Sequence, residues 1–300
     1  MLFSKVCLVG SGYLGTQIGV LCAKNGYSVS MYDVSPDALK NSEKAVDDCV
    51  QQWIGEGAIS AADGAPLKQR ISYTTELEKA VQGAGLVIEA VVERLEVKQD
   101  VFEQLDQLCS PDVLIATNSS SIKISYIEDS TKHPERVLNM HFYGYPWRRS
   151  VVELMKGKHT TDAVIEKASE FSHSIGVTPL RVLKESTGFI FNRVWRAIKK
   201  ECLTVVDQGV ASFEDVDRAW MSLYKTEAGP FGLMDRVGLD VVRDIEMVYY
   251  KESGEERDLP PKILLDKISK GELGVKAGKG FYTYPDPSYM RPGWLHGAPD

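Results

Sequence analysis

The stretch KVCLVGSGYLGTQIG near the N-terminus constrains the fold more than any other part of the chain. An apolar, β-branched segment (5–10) runs into Gly10, Gly12 and Gly15 at GxGxxG spacing. A helical pattern follows over 13–26. A second apolar run, YSVSMYDV (27–34), carries Asp33 near its end. Strand, glycine turn, helix, strand and acidic residue in that order predict a βαβ dinucleotide unit. The first glycine allows the tight turn, the second lets backbone amides approach a pyrophosphate, and the third lets the helix pack close to the strand. The helix N-terminus adds free N–H groups and a positive dipole end. Asp33 would bond the adenosine ribose hydroxyls and repel a 2′-phosphate, which favours NAD over NADP. Gly10, Gly12, Tyr13, Leu14, Gly15 and Asp33 are therefore assigned to the cofactor site.

The pattern continues beyond this unit. A long polar helical segment is expected from Pro36 to Gly57. Strands are expected at ISYTT (71–75), GLVIEAVV (85–92), DVLIATNSSS (112–121), VLNMHF (137–142), VVELM (151–155) and VTPLRVL (177–183), with helices near 98–109 and 162–175. Buried apolar strands separated by helices predict an α/β, Rossmann-type doubly wound sheet. After about residue 184 the period changes, and 187–209, 213–223, 230–252 and 260–271 all read as helices. We expect an NAD-binding domain over 1–184 and an all-α domain over 185–300, with an irregular tail after Tyr284.

Composition narrows the function classes. At 300 residues two domains are the better expectation. A net charge of −7 offers no basic field for a nucleic acid. Five scattered cysteines show neither a disulfide framework nor a metal-ligand spacing, so no metal is expected. No apolar stretch approaches the ~20 residues a bilayer requires, and the N-terminus runs straight into a strand. These features point to a soluble, cytoplasmic protein acting on a small molecule.

Two polar residues stand out inside apolar runs: His141 in VLNMHF and Glu153 in VVELM. A lone histidine at a strand end is commonly structural. A glutamate between apolar residues needs a partner, because burying an unpaired carboxylate is costly. A histidine titrates near neutrality and suits general base work on a hydroxyl. A carboxylate on its other ring nitrogen would fix the tautomer and stabilise the imidazolium.

Several motifs extend this reading. VIEAVVERLEVKQDVF, ATNSSS, MHF, VVELM, STGFIFNR, AGPFGLMDRVGLD and LGVKAGKGFYTY, taken in order, resemble the 3-hydroxyacyl-CoA dehydrogenases over nearly the whole chain. The resemblance implies a catalytic set of Ser120, His141, Glu153 and Asn192, with Ser120 and Asn192 also contacting substrate. It also places Glu93, Lys98 and Lys276 beside the cofactor. It further implies a homodimer formed through the helical domain. The rival class, a non-catalytic NAD-binding relative, predicts a broken catalytic set, whereas all four residues are present.

Two departures concern the substrate. The family loop after the histidine usually reads His-Phe-Phe-Asn-Pro; here it reads HFYGYP, with Gly144 in the place of an asparagine that contacts the cofactor. The segment EKAVDDCVQQWIGEGAIS carries Glu43, Asp47, Asp48 and Glu56, with Lys44 its only lysine, where acyl-CoA enzymes carry lysines that meet the CoA phosphates; Lys40 and Lys68 lie at its margins. Arg148 and Arg149 sit in the loop and would suit a substrate carboxylate. The expected activity is NAD-dependent oxidation of a secondary alcohol, first of all a short-chain 3-hydroxyacyl-CoA. The alternative is a CoA-free hydroxy acid or carboxylated aromatic alcohol read by Arg148 and Arg149.

Overall fold

The structure, a computed structural model, describes residues 2–297. The chain forms two compact units, Met1–Ile190 and Phe191–Asp300. The sequence reading places the boundary near 184. Residues 184–190 instead belong with the first unit, where the Ser125 N–H donates to Glu185 and the Ile190 N–H donates to Glu153.

In the first unit the order is β1 (Lys5–Val9), α1 (Tyr13–Lys24), β2 (Ser28–Tyr32), α2 (Pro36–Gly55), α3 (Ala61–Gln69), β3 (Ile71–Thr74) and α4 (Leu77–Val81). Then come β4 (Leu86–Glu89), α5 (Leu95–Leu108), β5 (Leu114–Thr117), β6 (Val137–Phe142), β7 (Val151–Lys156), α6 (Asp162–Ser174) and β8 (Thr178–Val182). The eight strands form one sheet ordered β3-β2-β1-β4-β5-β6-β7-β8. Neighbours run parallel except at β6–β7, which is antiparallel. Successive residues of β1 enter different cores: Val6 and Leu8 join one cluster, Cys7 and Val9 the other. Covered faces on both sides explain why the strands read as continuous apolar runs rather than alternating ones. The sequence reading did not include α3, whose segment AADGAPLKQ holds a glycine and Pro66 and shows little apolar periodicity.

The second unit holds α7 (Phe191–Asp207), α8 (Phe213–Tyr224), α9 (Pro230–Val237), α10 (Leu239–Ser253) and α11 (Lys262–Ser269). One helix was expected over 230–252. It is broken at Gly238, whose φ of 103° lies outside any helix. Among the described residues the tail after Tyr284 carries no long element, yet Tyr289 and Trp294 sit in this unit's core. No helix among the described residues is long and apolar enough to cross a membrane.

Two buried aspartates tie this unit together. Asp217 on α8 accepts the Phe231 N–H at 2.8 Å, the Gly232 N–H at 3.0 Å and the Tyr282 hydroxyl at 3.0 Å. Asp235 on α9 accepts the Phe281 and Tyr282 N–H groups, both at 2.9 Å, and the Tyr284 hydroxyl at 3.1 Å. The motifs AGPFGLMDRVGLD and KAGKGFYTY are thus held to each other by these carboxylates. Asp217→Ala would strand two buried amides and a phenol. The variant is expected to lose at least about 2 kcal/mol of unfolding free energy in urea titration. An unchanged midpoint would refute this account.

Candidate active site

The dinucleotide loop leaves β1 at Gly10, whose N–H donates to the Tyr32 carbonyl at 2.8 Å. Gly10 has a φ of 103°, and a Cβ there would meet the Ala90 carbonyl oxygen at 2.6 Å. A Cβ on Gly15 would run into the Gly10 carbonyl. Gly12, the N-cap of α1, has open space where its Cβ would stand. A phosphate can therefore approach the free amides at this helix end, whose first turn holds no acidic residue. Asp33 lies just past the end of β2. Its Oδ2 accepts the Ser11 N–H at 2.9 Å and the Ser11 hydroxyl at 3.1 Å, and its Oδ1 accepts the Ser35 N–H at 3.0 Å. Tyr13 and Leu14 begin α1. The Tyr13 ring passes so close to Gly144 that a Cβ there would stand 3.3 Å from it.

A charged cluster forms at the ends of β4 and β5. Lys98 on α5 is buried; its ammonium lies 2.8 Å from Glu89 and 3.2 Å from Glu93. Glu89, also buried, accepts the Thr117 hydroxyl at 2.7 Å and the Val91 N–H at 2.7 Å. Glu93 accepts the Ser119 hydroxyl at 2.5 Å, the Ser121 hydroxyl at 2.7 Å and the Ser121 N–H at 3.1 Å. Burial pushes the Glu93 carboxyl up, but these serines and the Lys98 charge outweigh it and hold the carboxyl below its usual range. Between those two serines, Ser120 is exposed.

His141 and Glu153 are register partners across the antiparallel β6–β7 pair. Their side chains therefore face each other from adjacent strands on the same side of the sheet. His141 Nδ1 lies 3.0 Å from Glu153 Oε2, and both residues are buried. The carboxylate also accepts the Tyr143 hydroxyl at 2.7 Å on Oε2 and the Ile190 N–H at 2.8 Å on Oε1. Asn118 Oδ1 accepts the Phe142 N–H at 2.8 Å, tying β6 to the end of β5. Phe189 packs on the imidazole with ring centroids 5.1 Å apart.

The remaining sequence candidates are distributed as follows. Asn192 occupies the first turn of α7 in the second unit. Lys276, in the same unit, pairs with Asp240 at 2.6 Å. Arg148 pairs with Glu56 at 2.6 Å. Arg149 is exposed and has no ion-pair partner among the described residues. A cleft of about 450 Å³ lies between α1 and α2, lined by Tyr13, Gln17, Asn41 and Asp48 and bounded by Tyr145 and Trp147 of the 143–149 loop.

Two family models cover this chain. The NAD binding domain of 3-hydroxyacyl-CoA dehydrogenase matches residues 5–186, and the C-terminal domain of the same enzymes matches 188–284. The chain belongs to the 3-hydroxyacyl-CoA dehydrogenase family. It is 34% identical to a 3-hydroxybutyryl-CoA dehydrogenase of Clostridioides difficile over 280 residues, 93% of this chain and 99% of the relative. It is 30% identical to the 5-formyl-3-hydroxy-2-methylpyridine 4-carboxylate 5-dehydrogenase of Mesorhizobium japonicum over 285 residues, 93% of this chain and 90% of the relative. Among solved structures, the (S)-3-hydroxybutyryl-CoA dehydrogenase of Ralstonia eutropha superposes with a TM-score of 0.89 at 30% identity, over 95% of this chain and 100% of the other.

As a 3-hydroxyacyl-CoA dehydrogenase family member, the protein is an NAD-dependent oxidoreductase acting on CH–OH groups. The glycine loop, the α1 N-terminus and Asp33 fit the adenosine diphosphate half of that cofactor. Sequence reasoning passed over Glu89, Thr117, Asn118 and Tyr143. Glu89 carried the same signal as Glu153, a glutamate inside an apolar run (LVIE). Lys98 was read as a residue beside the cofactor; its ammonium is committed to Glu89 and Glu93.

Lys98→Met leaves Glu89 as an uncompensated buried charge. A loss of about 3–5 kcal/mol in chemical denaturation is expected, with partial recovery when Glu89→Gln is added. A single variant as stable as the parent would show that the pair does not hold the β4–α5 junction.

Proposed function

We propose that this dehydrogenase oxidises the secondary hydroxyl of a short-chain 3-hydroxyacyl-CoA to the 3-oxo thioester, with His141 as general base. The observation that supports this most directly is the buried His141–Glu153 pair in register across β6 and β7. With Nδ1–H donated to Glu153, the imidazole keeps the Nε2 lone pair for the substrate hydroxyl proton. Glu153 fixes that tautomer and balances the imidazolium that forms. Ser120 is the residue of the first unit assigned to hold the reacting oxygen by a hydrogen bond. NAD, when bound, supplies the hydride acceptor. In the reverse direction the imidazolium returns its proton to the carbonyl oxygen.

A specific observation favours a second reading, oxidation of a CoA-free substrate that bears its own carboxylate. Around α2, Lys40 pairs with Asp37, Lys68 with Asp47 and Arg148 with Glu56, which leaves Lys44 as the helix's one lysine without an ion-pair partner among the described residues. The adjoining cleft is lined by Asp48 and, among the described residues, by no lysine or arginine. Phosphates gain little there. Arg149, in the loop that bounds the cleft, is a cation without an ion-pair partner among the described residues and suits a carboxylate.

NAD reduction by purified protein tests both readings. Turnover of 3-hydroxybutyryl-CoA at a kcat/KM well above that of every free acid supports the first. Turnover confined to free hydroxy acids or carboxylated aromatic alcohols, with loss in Arg149→Ala, supports the second. Under either, His141→Asn is expected to lower kcat by about 10²–10⁴-fold. Glu153→Gln is expected to lower it while leaving NAD binding intact. A His141→Asn enzyme with parental kcat would remove the assigned base.

A further inference from the structure

We infer that Tyr143 is a positioning residue that lowers the proton affinity of His141 by sharing its carboxylate partner. The inference rests on the reading of His141 as the base. Tyr143 lies two residues beyond His141 along the extended chain leaving β6, so both side chains leave the same face. Their ring centroids stand 4.6 Å apart, tilted by 57°. The phenol donates to Glu153 Oε2 at 2.7 Å, and His141 Nδ1 reaches the same oxygen at 3.0 Å. The Ile190 N–H occupies the other oxygen. One carboxylate therefore serves the imidazole, a phenol and a backbone amide at once.

A carboxylate stabilises an imidazolium through the negative charge it presents to the ring N–H. Each further donor on that carboxylate draws on the same charge. A donor on the very oxygen facing His141 has the largest effect. Glu153 is fully buried, so water does not dilute the competition. Burial, and then the neighbouring Glu153, push the Tyr143 phenol far above its ordinary range. It therefore stays a donor throughout the working range of pH.

Several ionisable groups on the neighbouring elements have partners of their own, and Lys184 and Arg149 are exposed. On the 183–190 segment, Glu185 accepts the Ser125 N–H. On the loop after β5, Lys123 lies over the Tyr126 ring. At the β4–β5 ends, Lys98 pairs with Glu89 and Glu93. Among the described residues, the ionisable side chains in contact with His141 are Glu153 and Tyr143, and the phenol is the one that can be removed while the carboxylate stays.

The consequence has a sign. Removing the phenol oxygen returns charge to Glu153 Oε2, strengthens its hold on the imidazolium and raises the pH at which His141 loses its proton. Alcohol oxidation needs the neutral imidazole. The acidic limb of kcat/KM should therefore move up by about half a unit to one unit in Tyr143→Phe. Below the parental limb the variant should oxidise substrate about three- to tenfold more slowly, with recovery at high pH.

The test takes the full-length protein and the substrate it turns over fastest, and records kcat/KM against pH for the parent, Tyr143→Phe and His141→Asn. In parallel, the His141 ring carbon is titrated by NMR without substrate, assigned by its loss in His141→Asn among the five histidines. An upward shift of both the kinetic limb and the ring titration supports the inference. An unmoved or lowered His141 titration in a folded Tyr143→Phe protein overturns it, whatever happens to KM. A His141→Asn enzyme with parental turnover overturns the base reading, and the inference with it. A dead His141→Asn enzyme beside an unshifted Tyr143→Phe limb overturns the inference alone.

Discussion

A carboxylate removed from water needs donors around it, and much of this protein is arranged around that requirement. Glu89, Glu128, Glu153, Asp217 and Asp235 are each buried. Each collects donors from segments distant in the chain. Glu128 takes the N–H groups of Lys158 and His159, which fixes the turn after β7. Glu89 takes Lys98, Thr117 and Val91, which joins β4, α5 and β5. In the second unit Asp217 and Asp235 do the same for the start of α9 and the 280–284 segment. Desolvation offsets much of the attraction in such groups, so their importance shows chiefly when one partner is removed.

Glu153 differs from the others in the nature of its partners. One of them, the His141 imidazole, is a ring that can take up and release a proton. The change of strand direction at β6–β7 sets up that encounter. A parallel neighbour needs a crossover of a dozen or more residues, whereas an antiparallel neighbour can return through a short loop. The loop that makes this return carries Tyr143, Gly144, Tyr145 and Trp147, so the elements that orient the pair also bound the adjoining cleft. Tyr145 and Trp147 meet edge to face at 5.7 Å, and Trp147 meets Trp53 of α2 at 4.9 Å. The loop is thereby fixed to the helix whose acidic character sets this chain apart from the pattern it resembles.

Much of the first unit could be read in advance because its signals are local. The three glycines, the helix after them and Asp33 lie within one short stretch, and each answers a steric or electrostatic demand of its immediate surroundings. His141 and Glu153 were visible as polar residues in apolar runs. Glu89 carried that signal too, but its partner Lys98 lies across a turn on α5, and nothing local in the sequence joins the two. The break between α9 and α10 escaped because apolar periodicity continues through Gly238; a positive φ leaves no trace in the pattern. Arg148 could be seen as a cation in a loop. Its pairing with Glu56, 92 positions away, could not.

The sequence by itself determined the βαβ dinucleotide unit, the change to a helical second half and the chemical identity of the residues around His141. Those follow from steric freedom at single positions and from hydrophobic period, which are properties of the local chain. Tertiary structure alone decided which charge meets which: Lys98 with Glu89, Arg148 with Glu56, and Tyr143 with the same carboxylate oxygen as His141. The reason is physical. An ion pair or shared hydrogen bond gains its strength from the packing that excludes water around it, and that packing exists only once distant segments have come together.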